Sequence, residues 1–393
     1  MGNVKGLSKE RLMNEDGQDY THVESRDALL KVADILQKEA AIGVDLEADS
    51  MFHYQEKVCL LQFSTPFKNI LVDPLAVKDL SPLAPVFKST EIEKIFHGAD
   101  YDIRSLYRDF KIEVNSLFDT QIAGRFLGLR DIGLASLLKE RLNISLKKKY
   151  QKKDWSQRPL PAPMMEYAVH DTCYLLDLSH NLRDELRRTG RLSFVEEECR
   201  LQTTVRGAEP NDQPLFLKFN GAGRLDRRSL AVLEAILQFR DRAARRRDLP
   251  LFKVMGNSQI MALAKRKPVK MSDLQGIRGF SRKQINQLGE GILKAVLPAL
   301  ALSENALPVY PRKKSEKISP KVGERVKCLK EWRDRQGDQM GVDPALICTN
   351  AQAKILALVY PETPEDMEKI MGIKNWQREQ FGHEICRVLK DFG

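Results

Sequence analysis

At 393 residues the chain is long enough for two or three domains with cores of their own. Charged residues make up 30% and hydrophobic ones 42%, and no apolar run approaches the roughly 18 residues of a membrane span, which argues against a membrane protein. The net charge of +10 is uneven: residues 1–200 hold 29 Lys and Arg against 32 Asp and Glu, a balance of −3, and the remainder carries +13. A carboxylate-rich first half suits cations and a basic second half suits a polyanion, although such a surplus also simply keeps proteins soluble.

The opening MGNVKGLSKE lacks the hydrophobic region of a signal peptide, and Gly6 stands where a myristoylation motif needs Ser or Thr. The six cysteines, at 59, 173, 199, 328, 348 and 386, contain no Cys-x-x-Cys and are expected to be reduced thiols. Both features make a cytoplasmic protein the expectation.

Short apolar strands are predicted near 41–48, 58–64, 69–72 and 94–97, alternating with amphipathic helices up to about residue 200. That alternation predicts an α/β domain with a mixed sheet. Within the first strand, AIGVDLEA, Asp45 and Glu47 lie two apart and so share a face. Buried carboxylates there are costly unless a cation lies between them. A third, Asp102, opens a helical pattern after Ile95-Phe96 and the turn-forming Gly98 and Ala99. The basic, aromatic run KKKYQKKDWSQRPL follows, with Lys149, Lys152, Lys153, Trp155 and Arg158 as candidate nucleic-acid contacts and Tyr150 or Trp155 as stacking rings. A single helix is predicted from about Met164 to Arg188, placing Tyr167 and Asp171 one turn apart on one face. Hard oxygen ligands without a Cys or His cluster select Mg²⁺ or Mn²⁺.

Taken singly, each of these residues has an ordinary explanation: a solvated Asp-x-Glu, an Asp at a helix N-terminus, a surface Tyr–Asp pair, a solvated basic loop. The combination is what points to metal-dependent chemistry. His170-Asp171 has no partner histidines that would suit an HD-type phosphohydrolase, and Gly221-Ala222-Gly223 lacks the context of a dinucleotide loop.

Beyond residue 205 the polar, Gly-rich stretch 206–224 is predicted as a linker, and 304–322 as a second one. They delimit helical segments 225–303 and 323–393 from a first domain of 1–205. The helical segments repeat: Arg240-Asp241-Arg242 aligns with Arg333-Asp334-Arg335, Pro268 with Pro361, Gly279 with Gly372, Gly289 with Gly382 and Ile292 with Ile385, always 93 residues apart. That period suits a duplicated small helical domain. The first copy carries a basic run in which Arg240, Arg245, Arg246 and Arg247 are candidate nucleic-acid contacts; the second has Gly337-Asp338-Gln339-Met340 there.

With these motifs on the page, the chain resembles the DEDD superfamily of 3′-to-5′ exonucleases, in its tyrosine branch, and within it the ribonuclease D group. Asp45 and Glu47 match the first motif, Asp102 the second, and Tyr167 with Asp171 the third; Glu166 stands where the histidine branch has His. His97, five residues before Asp102, and Phe118-Asp119-Thr120-Gln121 are similar to ribonuclease D sequence, and the helical copies resemble HRDC domains. The resemblance implies a ribonuclease H-like α/β fold with tandem HRDC domains. It also implies two-metal release of nucleoside 5′-monophosphates from RNA 3′ ends, with the four carboxylates holding two divalent cations (Mg²⁺ or Mn²⁺) and Tyr167 orienting water. Expected substrates are tRNA precursors and other small structured RNAs. A DNA exonuclease would use the same carboxylates, and a non-catalytic RNA-binding adaptor would not need all five residues.

Overall fold

The computed structural model describes residues 11–13, 19–146, 149–207, 213–311 and 319–391. The expectations for residues 1–10, and for the parts of the two linkers at 208–212 and 312–318, lie outside the described residues.

These residues form two compact units. The first contains the expected mixed sheet, and its seven strands run in the order β1-β2-β5-β4-β3-β6-β7. They are β1 (Arg11–Met13), β2 (Asp19–Val23), β3 (Ala41–Ala48), β4 (Val58–Ser64), β5 (Asn69–Val72), β6 (Glu93–Phe96) and β7 (Leu117–Asp119). Central β3 and β4 pair antiparallel, while β3–β6, β6–β7 and β2–β5 pair parallel. Along β3, Ile42, Val44 and Leu46 enter the main core, which leaves Gly43, Asp45 and Glu47 on the opposite face. A register shift between Glu47 and Ala48 bends β3 where it leaves the sheet.

Helices α1 (Arg26–Leu36) and α2 (Asp100–Phe110) lie between strands, and α3 (Thr120–Phe126) follows β7. Where sequence pattern predicts one helix over 164–188, the structure has two, α4 (Ala162–Thr172) and α5 (Leu175–Arg188). The break arises because the halves bury different stripes. Met164, Met165, Ala168 and Val169 of α4 join a cluster with Tyr20, Leu60 and Leu71, whereas Leu175, Leu178, Leu182 and Leu186 of α5 join the main core.

The second unit holds 213–311 together with Asp49–Lys57. Its helices are α7 (Arg227–Arg247), α8 (Asn257–Arg266) and α9 (Arg282–Leu300), after α6 (Leu192–Gln202) closes the first domain. The stretch predicted as a linker is partly core: Phe216 and Ala222 are buried against α7, because apolar side chains are interspersed among its Gly and polar residues.

The last module, α10 (Pro320–Met340), α11 (Asn350–Val359) and α12 (Asn375–Asp391), belongs to the first unit. Phe194 stacks on Trp376 with centroids 4.8 Å apart, and Phe126 meets the same indole edge-on at 5.4 Å. Glu197 of α6 accepts from the backbone N–H groups of Asn375 and Trp376, both at 2.8 Å, and so caps α12 from outside the helix. Glu198 accepts from Trp376 Nε1 at 2.9 Å and pairs with Lys374.

The duplication is repeated in hydrogen bonds. Arg240 donates to Met255 O and Asn257 Oδ1, and Arg333 to Cys348 O and Asn350 Oδ1. Gln259 bonds Gly279 O, and Gln352 bonds Gly372 O at 2.6 Å. Gly279 and Gly372 both take φ of 90°, the left-handed region that glycine enters without steric cost.

Candidate active site

Each acidic residue reaches the site by its own route. Asp45 and Glu47 project from the same face of β3. Asp102 lies in the first turn of α2, nearly buried at 6% exposure. The N-terminus of α2 is held by Asp119, which accepts from Gly98 N at 2.9 Å and Ala99 N at 2.8 Å while also capping α3 through Gln121 N. His97 is fixed by a 2.9 Å bond between Nδ1 and Thr120 Oγ1, and burial pushes its pKa below the usual value. Asp119 thus serves the site by aiming α2. Its adjacency to the family-like Phe118-Asp119-Thr120-Gln121 was the available signal, and the long-range bond to residues 98 and 99 was not readable.

Tyr167 and Asp171 come from α4, and the Tyr167 hydroxyl donates to the Asp171 carboxylate. They border a cleft of about 500 Å³ lined also by Lys149, Tyr150, Glu166, His170 and Tyr174. The four carboxylates interact electrostatically. Burial, then the charges of Asp45, Asp171 and Asp102, holds Glu47 well above the ordinary range. Burial and Asp45 do the same to both Asp102 and Asp171, and burial raises Asp45 to about 7. Burial followed by the negative charges of Asp171, Glu47 and Asp45 drives the Tyr167 phenol far upward as well. Such a set of hard, mutually repelling oxygens is a fitting receptor for divalent cations, which remove the repulsion and replace the lost hydration.

The RNA-contact candidates separate. Lys149, Lys152, Lys153, Arg246 and Arg247 are exposed. Trp155 is a correction: at 1% exposure its indole is packed in a core cluster, 6.2 Å from the Tyr167 ring, and is closed to a stacking base. The Tyr150 ring meets the same phenol ring at 6.1 Å. Together these rings hold Tyr167 in place.

Arg158 is a second correction. Its guanidinium clamps buried Asp73 through Nε at 2.5 Å and Nη2 at 2.7 Å, and donates to the carbonyls of Trp155, Gln157 and Cys59. Arg240 is likewise committed to the turn at 255–257. Arg245 donates to the Tyr54 hydroxyl at 2.7 Å and pairs with Asp241, though it remains exposed. His22, Glu24 and Asp73 also bring ligand atoms within 4.8 Å of one another, but the Arg158 charge already satisfies Asp73.

Comparison with known proteins agrees with this arrangement. The family described as 3′-5′ exonuclease matches residues 20–187, and the HRDC domain family matches 229–296 and 323–389. The chain is 30% identical to ribonuclease D of Haemophilus influenzae over 82% of each protein. It is also 30% identical to ribonuclease D of Gluconacetobacter diazotrophicus, over 95% of this chain and 93% of that one. The crystal structure of Escherichia coli RNase D matches with a TM-score of 0.71 at 26% identity, covering 95% of this chain and 99% of that one. Among the described residues no helix is long and apolar enough to cross a membrane. A mixed-sheet exonuclease domain followed by helical HRDC modules, and relatives matched over nearly their whole length, place the chain in the ribonuclease D family as a divalent-metal-dependent 3′-5′ exoribonuclease.

Proposed function

We propose that the protein trims structured RNAs, tRNA precursors among them, from the 3′ end, releasing nucleoside 5′-monophosphates, and that Asp45, Glu47, Asp102, Tyr167 and Asp171 form its catalytic centre. The observation that carries the site is the convergence of four mutually repelling carboxylates from one strand and two helices, with Asp171 and Tyr167 lining the cleft. The Escherichia coli relative is described as an exoribonuclease involved in structured RNA processing, which supports the substrate class.

Asp45, Glu47, Asp102 and Asp171 would hold two divalent cations, Mg²⁺ or Mn²⁺. When bound, the cations supply a lowered pKa for water and charge neutralisation at the leaving oxygen. The rest falls to the side chains. The water oxygen bonds to phosphorus and gives up a proton to solvent, the P–O3′ bond breaks, and the 3′ oxygen takes up a proton from solvent. Tyr167 hydrogen-bonds that water and orients it for in-line attack. Trp155 and Tyr150 keep the phenol from swinging away. Lys149 at the cleft, Lys152 and Lys153 beside it in sequence, and Arg245, Arg246 and Arg247 of the first helical module would contact RNA phosphates. A cytoplasmic setting belongs to the same proposal, consistent with six cysteines outside any disulfide.

The test is degradation of matched 3′-labelled and 5′-labelled RNA and DNA with Mg²⁺, Mn²⁺ or chelator. Labelled mononucleotide should appear at once from 3′-labelled RNA, and chelator should abolish it. Asp45→Asn should lower single-turnover cleavage at least about 100-fold, roughly 3 kcal/mol of barrier. Tyr167→Phe should lower the rate while the metal concentration for half-maximal activity stays put. Near-normal cleavage by folded Asp45→Asn protein would dismiss the site, and preferential degradation of DNA would dismiss the substrate class.

A further inference from the structure

Gln62 occupies β4 directly opposite Asp45, on the face of the sheet that carries the carboxylates. It is fully buried, and neither Oε1 nor Nε2 has a hydrogen-bond partner among the described residues. Its neighbour across the other strand pair is Leu71, and Leu60 lies two residues before it on the same face. Both are apolar and buried. By contrast Ser64, two residues on, spends its hydroxyl on Thr172 Oγ1 at 2.6 Å and on Asn69 Oδ1 at 2.8 Å.

A buried amide with both ends unpartnered weakens a fold, and an apolar side chain of the same volume would serve better there. Opposed residues in an antiparallel pair have Cβ atoms about 4.5–5.5 Å apart, so a change of rotamer brings the Gln62 amide to the Asp45 carboxylate, which it does not bond in this structure. We infer that Gln62 is a positioning residue of the catalytic centre, its Nε2 donating to one oxygen of Asp45 so that the other oxygen faces the cation. The inference rests on Asp45 being a metal ligand. The amide acts through Asp45 and touches neither the cation nor the RNA. It is the kind of outer partner that orients a ligating carboxylate, and loss of such partners typically lowers metal affinity or activity about 10- to 100-fold.

Gln62→Met in the full-length chain removes the amide and keeps the volume. Three measurements read it: thermal unfolding of the metal-free protein, calorimetric titration with Mg²⁺, and steady-state hydrolysis of a single-stranded oligoribonucleotide. The expected result is unfolding at the same or a higher temperature, Mg²⁺ affinity and kcat both lower by about 10-fold or more, and KM unchanged. A purely structural glutamine would give the reverse pattern, a lower unfolding temperature with Mg²⁺ affinity retained. Mg²⁺ affinity and kcat within about twofold of the parent protein would overturn the inference, given the range such partners command. Gln62→Leu carries the same test should the Met variant fail to fold; failure of both to fold would overturn it, since the amide would then be supporting the fold. Asp45→Asn, measured in parallel, separates the two levels. Loss of activity there with an unaffected Gln62→Met dismisses Gln62 alone, whereas full activity in Asp45→Asn dismisses the carboxylate site and Gln62 with it.

Discussion

Gly43 of β3 and Thr172 at the end of α4 approach so closely that a Cβ on Gly43 would lie 2.9 Å from the Thr172 carbonyl oxygen and 3.3 Å from Leu175 Cβ. The backbone of Gly43 is ordinary strand, so the constraint is space alone. This approach sets the separation between the strand bearing Asp45 and Glu47 and the helix bearing Tyr167 and Asp171.

Gly43→Ala is therefore expected to push the α4–α5 junction away from β3 by some tenths of an ångström. Overpacking of this kind costs about 1–3 kcal/mol of stability. Misplacing catalytic groups by about 1 Å can cost on the order of 10²-fold in rate, so a loss of about tenfold in kcat is expected from the smaller shift. Steady-state kinetics beside thermal unfolding check this; a folded Gly43→Ala protein with parental kcat would show that the junction does not set the site.

The raised carboxylate pKa values link metal, pH and stability. Asp45 moves from 3.8 to about 7 on folding, and Glu47, Asp102 and Asp171 move the same way. The folded state thus binds protons more tightly than the unfolded one. For Asp45 that contribution is complete below about pH 4 and is lost as the pH rises through about 7. In chelator the protein should unfold at a lower temperature at pH 8 than at pH 5.5, and Asp45→Asn should narrow the gap. Added Mg²⁺ should raise the unfolding temperature more at pH 8, above the titration of Asp45. An equal rise at both pH values would contradict the coupling.

What could be read from the chain was whatever lies within one element or repeats at a fixed interval. Asp45 and Glu47 interrupt an apolar strand, Tyr167 and Asp171 are one helical turn apart, and the 93-residue offset was open to subtraction. What escaped depends on partners distant in sequence. Trp155 sits in a run that looks solvated by composition, yet Arg158 reaches back 85 residues to Asp73 and folds that run inward. Strands β1 and β7, of three residues each, carry too few for a periodic signal, and β2, DYTHV, is mostly polar, so it is sheet pairing that defines them. Gln62 reads as one polar residue in an apolar strand; only its register against Asp45 gives it a meaning.

The two kinds of basic residue in the 149–158 run should respond differently to mutation. Arg158→Ala leaves Asp73 buried and unpaired, which costs about 3–5 kcal/mol, and the protein should melt at a lower temperature. Lys152→Ala with Lys153→Ala should leave melting unchanged and weaken single-stranded RNA binding. If each lysine contacts one phosphate, the slope of log K against log salt should become shallower by about 1.4, at roughly 0.7 per phosphate. A stable Arg158→Ala protein that loses salt-dependent binding instead would restore Arg158 as an RNA contact.

The last helical module follows a predicted linker and lacks the basic run of the first; as an independent unit it could be removed with the exonuclease domain left sound. Its burial against that domain leads to a different outcome. Trp376 is 2% exposed between Phe126, Phe194 and Phe381, and Glu197 of the exonuclease domain caps its helix. Trp376→Ala is expected to cost about 3–5 kcal/mol. Ending the chain near Arg206 would also uncover Phe126 and Phe194 and leave Glu197 without its two N–H donors, so the shortened protein should unfold at a lower temperature and aggregate more readily. Thermal unfolding and hydrolysis of a short single strand at 25 °C distinguish the possibilities. A lowered unfolding temperature in Trp376→Ala with near-parental kcat would mark the module as a structural buttress for the exonuclease domain. An unchanged unfolding temperature with weakened binding of structured RNA would make it an independent RNA grip.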